Sequence, residues 1–136
     1  MIQKRKKEIE HLAMRILSQY RIMDNPGQHL QIILDGEQIQ LLGYDDWAVD
    51  ICGRFMYIGD DPVIFFNSKH TQAMQVFTIA HELGHYFLKH LENEEAEIIC
   101  LNRDFQRMDD SDDAKKEREV EANYFAACLL LPLNLI

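Results

Sequence analysis

The sequence predicts an α+β fold in which a small, mostly antiparallel sheet packs against an N-terminal, a central and a C-terminal helix. Two observations carry this prediction. Apolar residues recur at helical spacing near both ends of the chain and after residue 71, whereas the stretch between residues 30 and 66 consists of short β-prone segments. The chain has 136 residues, the length of one ordinary domain, so we expect a single domain over residues 1–136.

The first helix is predicted from Lys4 to Arg21, where the turn sequence of residues 24–27 follows it. The second helix is predicted from Thr71 to Lys89. The third begins near Asp112 or Asp113 and runs to Leu131, where Pro132 ends or kinks it. The acidic residues at its start suit the positive end of the helix dipole.

The stretch between the first two helices is rich in Ile, Val, Phe and Tyr, and turn residues divide it into short segments. The predicted strands are Leu30–Leu34, Gln38–Leu42, Trp47–Cys52, Phe55–Ile58 and Val63–Phe66. Residues 59–62, Gly-Asp-Asp-Pro, give the clearest hairpin turn. In the acidic connection Glu92–Asp113, the apolar residues 98–101 fit either a short strand or a helical turn.

The composition describes an acidic, globular chain with a formal net charge of −9. This charge disfavours nucleic acid as a direct partner, because phosphate binding needs a basic surface. Cys52, Cys100 and Cys128 include no Cys-x-x-Cys pair and indicate free thiols in a reducing compartment. Apolar stretches fall short of the roughly 18 residues of a transmembrane helix, and the N-terminus has no signal-peptide core. We therefore expect a cytoplasmic protein without membrane contact.

Residues 81–85 read His-Glu-Leu-Gly-His, which places His81 and His85 on one face of a helix. Both imidazoles can reach one metal ion, and zinc commonly takes such ligands. Glu82, rotated about 100° from the first ligand, is predicted to act as general base on the attacking water. The alternative is a helix with two ordinary histidines. Glu82 and Gly84 favour the metal site, since a mid-helix glycine costs about 1 kcal/mol and usually has a packing reason.

A catalytic zinc site needs a third protein ligand and an open position for water. Glu117, Glu119 and Glu121 on the last helix are the candidates. Glu119 shares a face with Asn123 and with apolar residues farther along, so this face points into the protein. Glu117 and Glu121 form a separate row. We therefore predict Glu119 as the third ligand and Asn123 as the side chain that orients a ligand histidine.

The motif HELGH, preceded by FTIA, and the later block EVEANYFAACLLLP resemble the ImmA/IrrE family of metallopeptidases. The match runs from about Val63 to Pro132, half of the chain. The resemblance implies a zincin-like fold and one zinc ion, replaceable by another divalent metal. It also implies a glutamate third ligand followed four residues later by an orienting Asp or Asn. In this chain the resemblance assigns these roles to Glu119 and Asn123, and it assigns no role to Glu121.

The resemblance further implies a cytoplasmic regulator from a bacterium or phage. The leading hypothesis is a zinc-dependent endopeptidase that cleaves a helix-turn-helix repressor of a prophage, mobile element or stress pathway. The alternative is an anti-repressor or sensor module that keeps the zinc site but acts by binding alone. Glu82 argues against this alternative, because binding needs no base. A purely structural zinc site is disfavoured, because such sites are usually closed by Cys and His.

The substrate is expected to pair as an additional strand with an exposed sheet edge. Val63–Asn67 directly precedes the metal-binding helix and is the predicted edge, with Val63, Phe65 and Asn67 as substrate contacts. The alternative is that this strand is interior. His90 follows His85 by five residues, about 140° from the ligand face of a continued helix, and receives no direct role.

Overall fold

A computed structural model describes residues 1–47, 50–91, 97–101 and 113–132, with 97–101 and 113 described through their backbone. It confirms the predicted α+β class. Over these residues the helices are α1 (Gln3–Gln19), α2 (Leu30–Gly36), α3 (Gln72–Phe87) and α4 (Asp113–Leu130). The strands are β1 (Gln40–Tyr44), β2 (Ile51–Ile58), β3 (Asp61–Asn67) and β4 (Glu97–Leu101).

The described strands form one mixed sheet in the order β1-β3-β2-β4. β2 and β3 make an antiparallel hairpin, and Gly59 takes a φ of 64° in its turn, a backbone conformation that glycine adopts readily. β4 pairs antiparallel with the other edge of β2, whereas β1 pairs parallel with β3. The predicted predominance of antiparallel pairing is therefore confirmed.

The strand predicted at Leu30–Leu34 is wrong, because this segment forms helix α2. Leu30, Ile33 and Leu34 are buried at helical spacing, while Ile32 between them is 45% exposed. A short apolar run fits a buried strand and a short helix equally well, so only the packing decides between them.

The strands predicted at Trp47–Cys52 and Phe55–Ile58 correspond to one strand, β2, which begins only at Ile51. Trp47 and Asp50 precede this strand, and residues 48–49 lie outside the described residues. Gly53 therefore makes no turn; it lies within β2, next to an irregularity in the pairing with β4. A Cβ atom at Gly53 would lie 2.7 Å from the carbonyl oxygen of Phe65 and 2.7 Å from Thr78 Cγ2. The glycine thus permits α3 to approach the sheet closely.

Two further predictions concern strand positions. Val63–Asn67 lies in β3, between β1 and β2, so the prediction that it forms a sheet edge is wrong; β1 and β4 are the edges of the described sheet. Residues 97–101 form β4, which confirms the strand alternative for the apolar part of the acidic connection. The rest of that connection, residues 92–96 and 102–112, lies outside the described residues.

The core lies between the sheet and the helices. α3 packs on β2 and β3, and α4 packs against both α3 and α1. Phe55 from β2, Leu83 from α3 and Phe125 from α4 are fully buried there, together with Ile9 from α1. This packing fixes α3 and α4 relative to each other, which matters because the predicted metal ligands divide between them. None of the described helices is long and apolar enough to cross a membrane.

Replacing Gly53 with alanine should lower the free energy of unfolding by about 1–3 kcal/mol, the usual cost of overpacking. The added methyl would lie 2.7 Å from a backbone oxygen of β3, which cannot move alone. Gly43→Ala is the matched control, because a Cβ there meets the tip of the Phe66 ring at 3.0 Å, and a ring can turn away. Urea unfolding measures both variants; equal stabilities would contradict the close approach at Gly53.

Candidate metal centre

Helix α3 carries His81, Glu82 and His85 into the interior. Its N-terminus is capped by Thr71, whose hydroxyl oxygen accepts a hydrogen bond from the Met74 N–H at 3.3 Å. All residues from 78 to 85 are buried, and His81, Glu82 and His85 have no exposed surface. Burying three ionisable side chains in one turn of helix is unfavourable unless a partner compensates them.

Helix α4 supplies Glu119, which is 1% exposed. The approach of the two helices depends on Gly84, because a Cβ atom there would lie 3.1 Å from Ala122 Cα and 3.2 Å from the Ala122 carbonyl oxygen. The predicted packing reason for this mid-helix glycine is therefore a close contact between α3 and α4. That contact brings a carboxylate on one helix to the imidazoles on the other.

Three side-chain atoms converge at the centre of this contact. Glu119 Oε2 lies 2.8 Å from His81 Nε2 and 3.2 Å from His85 Nε2, and the two nitrogens are 3.1 Å apart. Ligands at about 2.0–2.1 Å around a tetrahedral zinc ion are roughly 3.3 Å apart, so the spacing fits such an ion. Among the described residues, His81, His85 and Glu119 form the group that could hold a metal.

The outer nitrogens of both imidazoles have partners that define the tautomers. His81 Nδ1 lies 2.8 Å from Asn123 Oδ1, an acceptor, so this nitrogen donates and Nε2 keeps its lone pair. His85 Nδ1 lies 2.9 Å from His90 Nδ1, and His90 Nε2 lies 2.8 Å from Glu121 Oε1. Burial lowers the pKa of His90 from 6.5, so its ring is neutral at pH 7.

The charge states of His85 and Glu119 favour the binding of a metal cation over protonation of the site. Burial lowers the pKa of His85 to about 4, so its imidazole is neutral at pH 7. Burial raises the pKa of Glu119, but the interactions of its carboxylate with His81 and His85 outweigh burial and bring this pKa well below its usual range. The centre therefore holds a carboxylate that requires positive charge and a His85 imidazole that resists protonation. A divalent metal ion satisfies both requirements.

Glu82 occupies a different side of α3 from the three converging atoms. Its Oε1 lies 3.9 Å from His85 Nε2, too far for a hydrogen bond. Its Oε2 faces β2, where a Cβ atom on Gly53 would lie 3.1 Å from it. The carboxylate is therefore adjacent to the candidate metal position without belonging to the ligand group, as the predicted role of a general base requires.

The structure places His90 and Glu121 beside the metal centre, which the sequence reasoning missed. The 140° offset given to His90 assumed that the helix continues past His85. Instead α3 ends at Phe87, and Lys89 takes a φ of 58°. The His90 N–H then donates to the His85 carbonyl at 3.0 Å and the Lys89 N–H to that of Tyr86 at 3.2 Å, a Schellman cap that turns the His90 ring back toward His85.

Of the three predicted substrate contacts on β3, Val63 and Asn67 are buried and Phe65 is half-buried. Val63 is 1% exposed and belongs to the buried apolar residues. Phe65 packs near Trp47, with the ring centroids 6.3 Å apart. Asn67 donates to the Ile51 carbonyl oxygen at 2.9 Å and accepts from the Lys69 N–H at 3.0 Å. The interior position of β3 removes the strand-addition argument on which these three assignments rested.

A buried His-Glu-x-x-His helix joined by a glutamate from the next helix defines a metallopeptidase-like domain. The model of a peptidase family, the IrrE N-terminal-like domain, matches residues 32–136, and the chain belongs to this family. The matched residues include both α3 and α4, and the predicted resemblance is confirmed. This family is zinc-dependent. Comparison with curated proteins gave no significant match.

Zn²⁺ should stabilise metal-free protein, since an ion that binds the folded state adds about 2.7 kcal/mol at a free concentration 100 times its Kd. Glu119→Gln should lose most of this gain, because an amide is a far weaker ligand than a carboxylate. Glu117→Gln, exposed on the same helix, is the matched control and should keep the gain. Thermal unfolding with and without the ion measures the effect; equal stabilisation of both variants would contradict the ligand assignment.

The free energy of unfolding of metal-free protein should fall by a few kcal/mol as the pH drops from 6.5 toward 4. In that window the unfolded chain protonates His85, while the folded chain, with its pKa at about 4, does not. Unfolding thus takes up a proton and becomes easier as pH falls. Urea titrations in the presence of a chelator measure the slope. A His85→Gln variant with an equally steep slope would show that other groups cause it.

Proposed function

We propose that this chain is a zinc-dependent endopeptidase that hydrolyses a peptide bond in a protein substrate. The observation that carries the proposal is the position of Glu82. This carboxylate is fully buried and lies 3.9 Å from His85 Nε2, beside the ligand group but outside it. A centre that only held a structural ion would not need a second carboxylate there, whereas hydrolysis needs a base next to the attacking water.

A zinc ion in this centre supplies Lewis acidity, which polarises a carbonyl and acidifies water. The residues of the chain have separate tasks around it. His81, His85 and Glu119 hold the ion, and Asn123 keeps the lone pair of His81 Nε2 directed inward. Glu82 accepts the proton of the attacking water and delivers it to the leaving amine. Burial of Glu82 and of the three metal ligands excludes bulk water and strengthens each electrostatic interaction.

We infer that the substrate is a helix-turn-helix transcriptional repressor in the cytoplasm, encoded by a prophage, a mobile element or a stress pathway. The membership in the IrrE N-terminal-like family and the resemblance to ImmA/IrrE proteins support this inference. The formal net charge of −9 adds to it, because an acidic protein attracts a basic DNA-binding one. Cleavage of the repressor would then release the genes that it silences.

The substrate chain is proposed to add as a strand to β4. In the described sheet, β4 is one of the two edges, and its inner neighbour is β2. β2 is also the strand whose Gly53 faces the Glu82 carboxylate. A peptide paired with β4 would run along the side of the sheet nearest to the base, and main-chain pairing would hold it there. The other edge, β1, is separated from β2 by β3.

Glu82→Gln should reduce cleavage by about 10²–10⁴-fold, the usual contribution of a general base, while one equivalent of metal stays bound. The assay is co-expression with the helix-turn-helix repressor encoded nearest to the gene, with the repressor's mass followed by mass spectrometry. Glu117→Gln serves as the control and should leave a single defined cut. A repressor that co-purifies intact with wild type and variant alike would favour the sequestering module over the peptidase.

A further inference from the structure

A line of side-chain contacts runs outward from the metal centre. His85 Nδ1 lies 2.9 Å from His90 Nδ1, and His90 Nε2 lies 2.8 Å from Glu121 Oε1. Arg5 of α1 then donates twice to Glu121, from Nε to Oε2 and from Nη2 to Oε1, both at 2.9 Å. Four side chains from three parts of the chain thus form one continuous series, which we call the His85–Arg5 chain.

The donors and acceptors of the His85–Arg5 chain can be ordered in one direction. The Arg5 guanidinium only donates, and the ionised Glu121 carboxylate only accepts. His90 Nε2 must therefore donate to Glu121, which leaves the lone pair of a neutral ring on His90 Nδ1. This lone pair accepts from His85 Nδ1–H. The series fixes the tautomer of His85 whose Nε2 lone pair points at Glu119 and His81.

We propose that His90 is a positioning residue that holds His85 ready to bind the metal, and that Glu121 and Arg5 anchor His90. Asn123 has the same role for His81, so each ligand imidazole is oriented by a hydrogen bond at its Nδ1 atom. Because partners of this kind typically contribute 10–100-fold to metal affinity, the effect of His90 should be measurable in binding alone. The inference rests on the proposed metal-dependent function.

The His85–Arg5 chain also connects the metal centre to helix α1 at the start of the sequence. Arg5 and Glu121 are 116 residues apart in sequence, and their ion pair joins α1 to α4. The His90 side chain is 7% exposed and that of Glu121 is 10% exposed, whereas that of Arg5 is 32% exposed. Contacts that are shielded from water lose more when broken. We therefore expect the effects of substitution to decrease outward from His90 to Arg5.

The test compares two substitutions of His90, each of which replaces a different nitrogen of the imidazole ring with a polar atom. Asparagine places its polar atoms near the Nδ1 position and can still accept from His85. Glutamine places them near the Nε2 position, where it can reach Glu121 but not His85. Zn²⁺ and Co²⁺ affinities are measured by competition with a chromophoric chelator. We expect His90→Gln and His90→Ala to raise the Kd about 10–100-fold, and His90→Asn to stay within a few-fold of wild type.

The absorption spectrum of bound Co²⁺ gives a second readout, since a reoriented His85 changes the ligand field. Glu121→Gln should raise the Kd less than His90→Ala, and Arg5→Gln less again. His11→Ala, an exposed histidine on α1, is the control for loss of an imidazole. Equal affinities for His90→Asn, His90→Gln and wild type would overturn the positioning role. A wild-type protein that binds neither ion would instead overturn the proposed function.

Discussion

Three acceptor atoms held within 3.2 Å of one another in the interior are the constraint on which the rest of this structure depends. Glu119 is ionised, and burial keeps His85 neutral, so the centre lacks the positive charge that would balance it. A divalent cation resolves the conflict without a buried imidazolium. Asn123 and His90 then make sense as partners that keep both imidazole lone pairs directed inward.

Two glycines on opposite sides of the site make this centre sterically possible. Gly84 on α3 lets α4 approach, and Gly53 on β2 lets α3 approach the sheet; a methyl at either position would crowd backbone atoms. α3 is thereby held between the sheet and α4. Its ligand histidines face the carboxylate of α4, and Glu82 faces β2. One helix can thus present ligands and base in different directions, which separates metal binding from proton transfer.

The sequence could predict helices α1, α3 and α4 and the candidate ligands, because their signals are local. Helical spacing put His81 and His85 on one face, and the inward face of the last helix selected Glu119, which the structure brings to both imidazoles. The sheet order was not predictable, since the parallel pairing of β1 with β3 depends on contacts distant in sequence. His90 was missed for a related reason: the left-handed Lys89 ends α3 and redirects the chain.

The most direct test of this account is X-ray absorption at the zinc edge of purified, metal-loaded protein. The ligand group predicts a first shell of nitrogen and oxygen, with the outer-shell scattering of two imidazoles. The thiols of Cys52 and Cys128 should contribute nothing, because neither belongs to the group of His81, His85 and Glu119. A sulfur shell at about 2.3 Å, or a shell without imidazole, would contradict the metal centre described here.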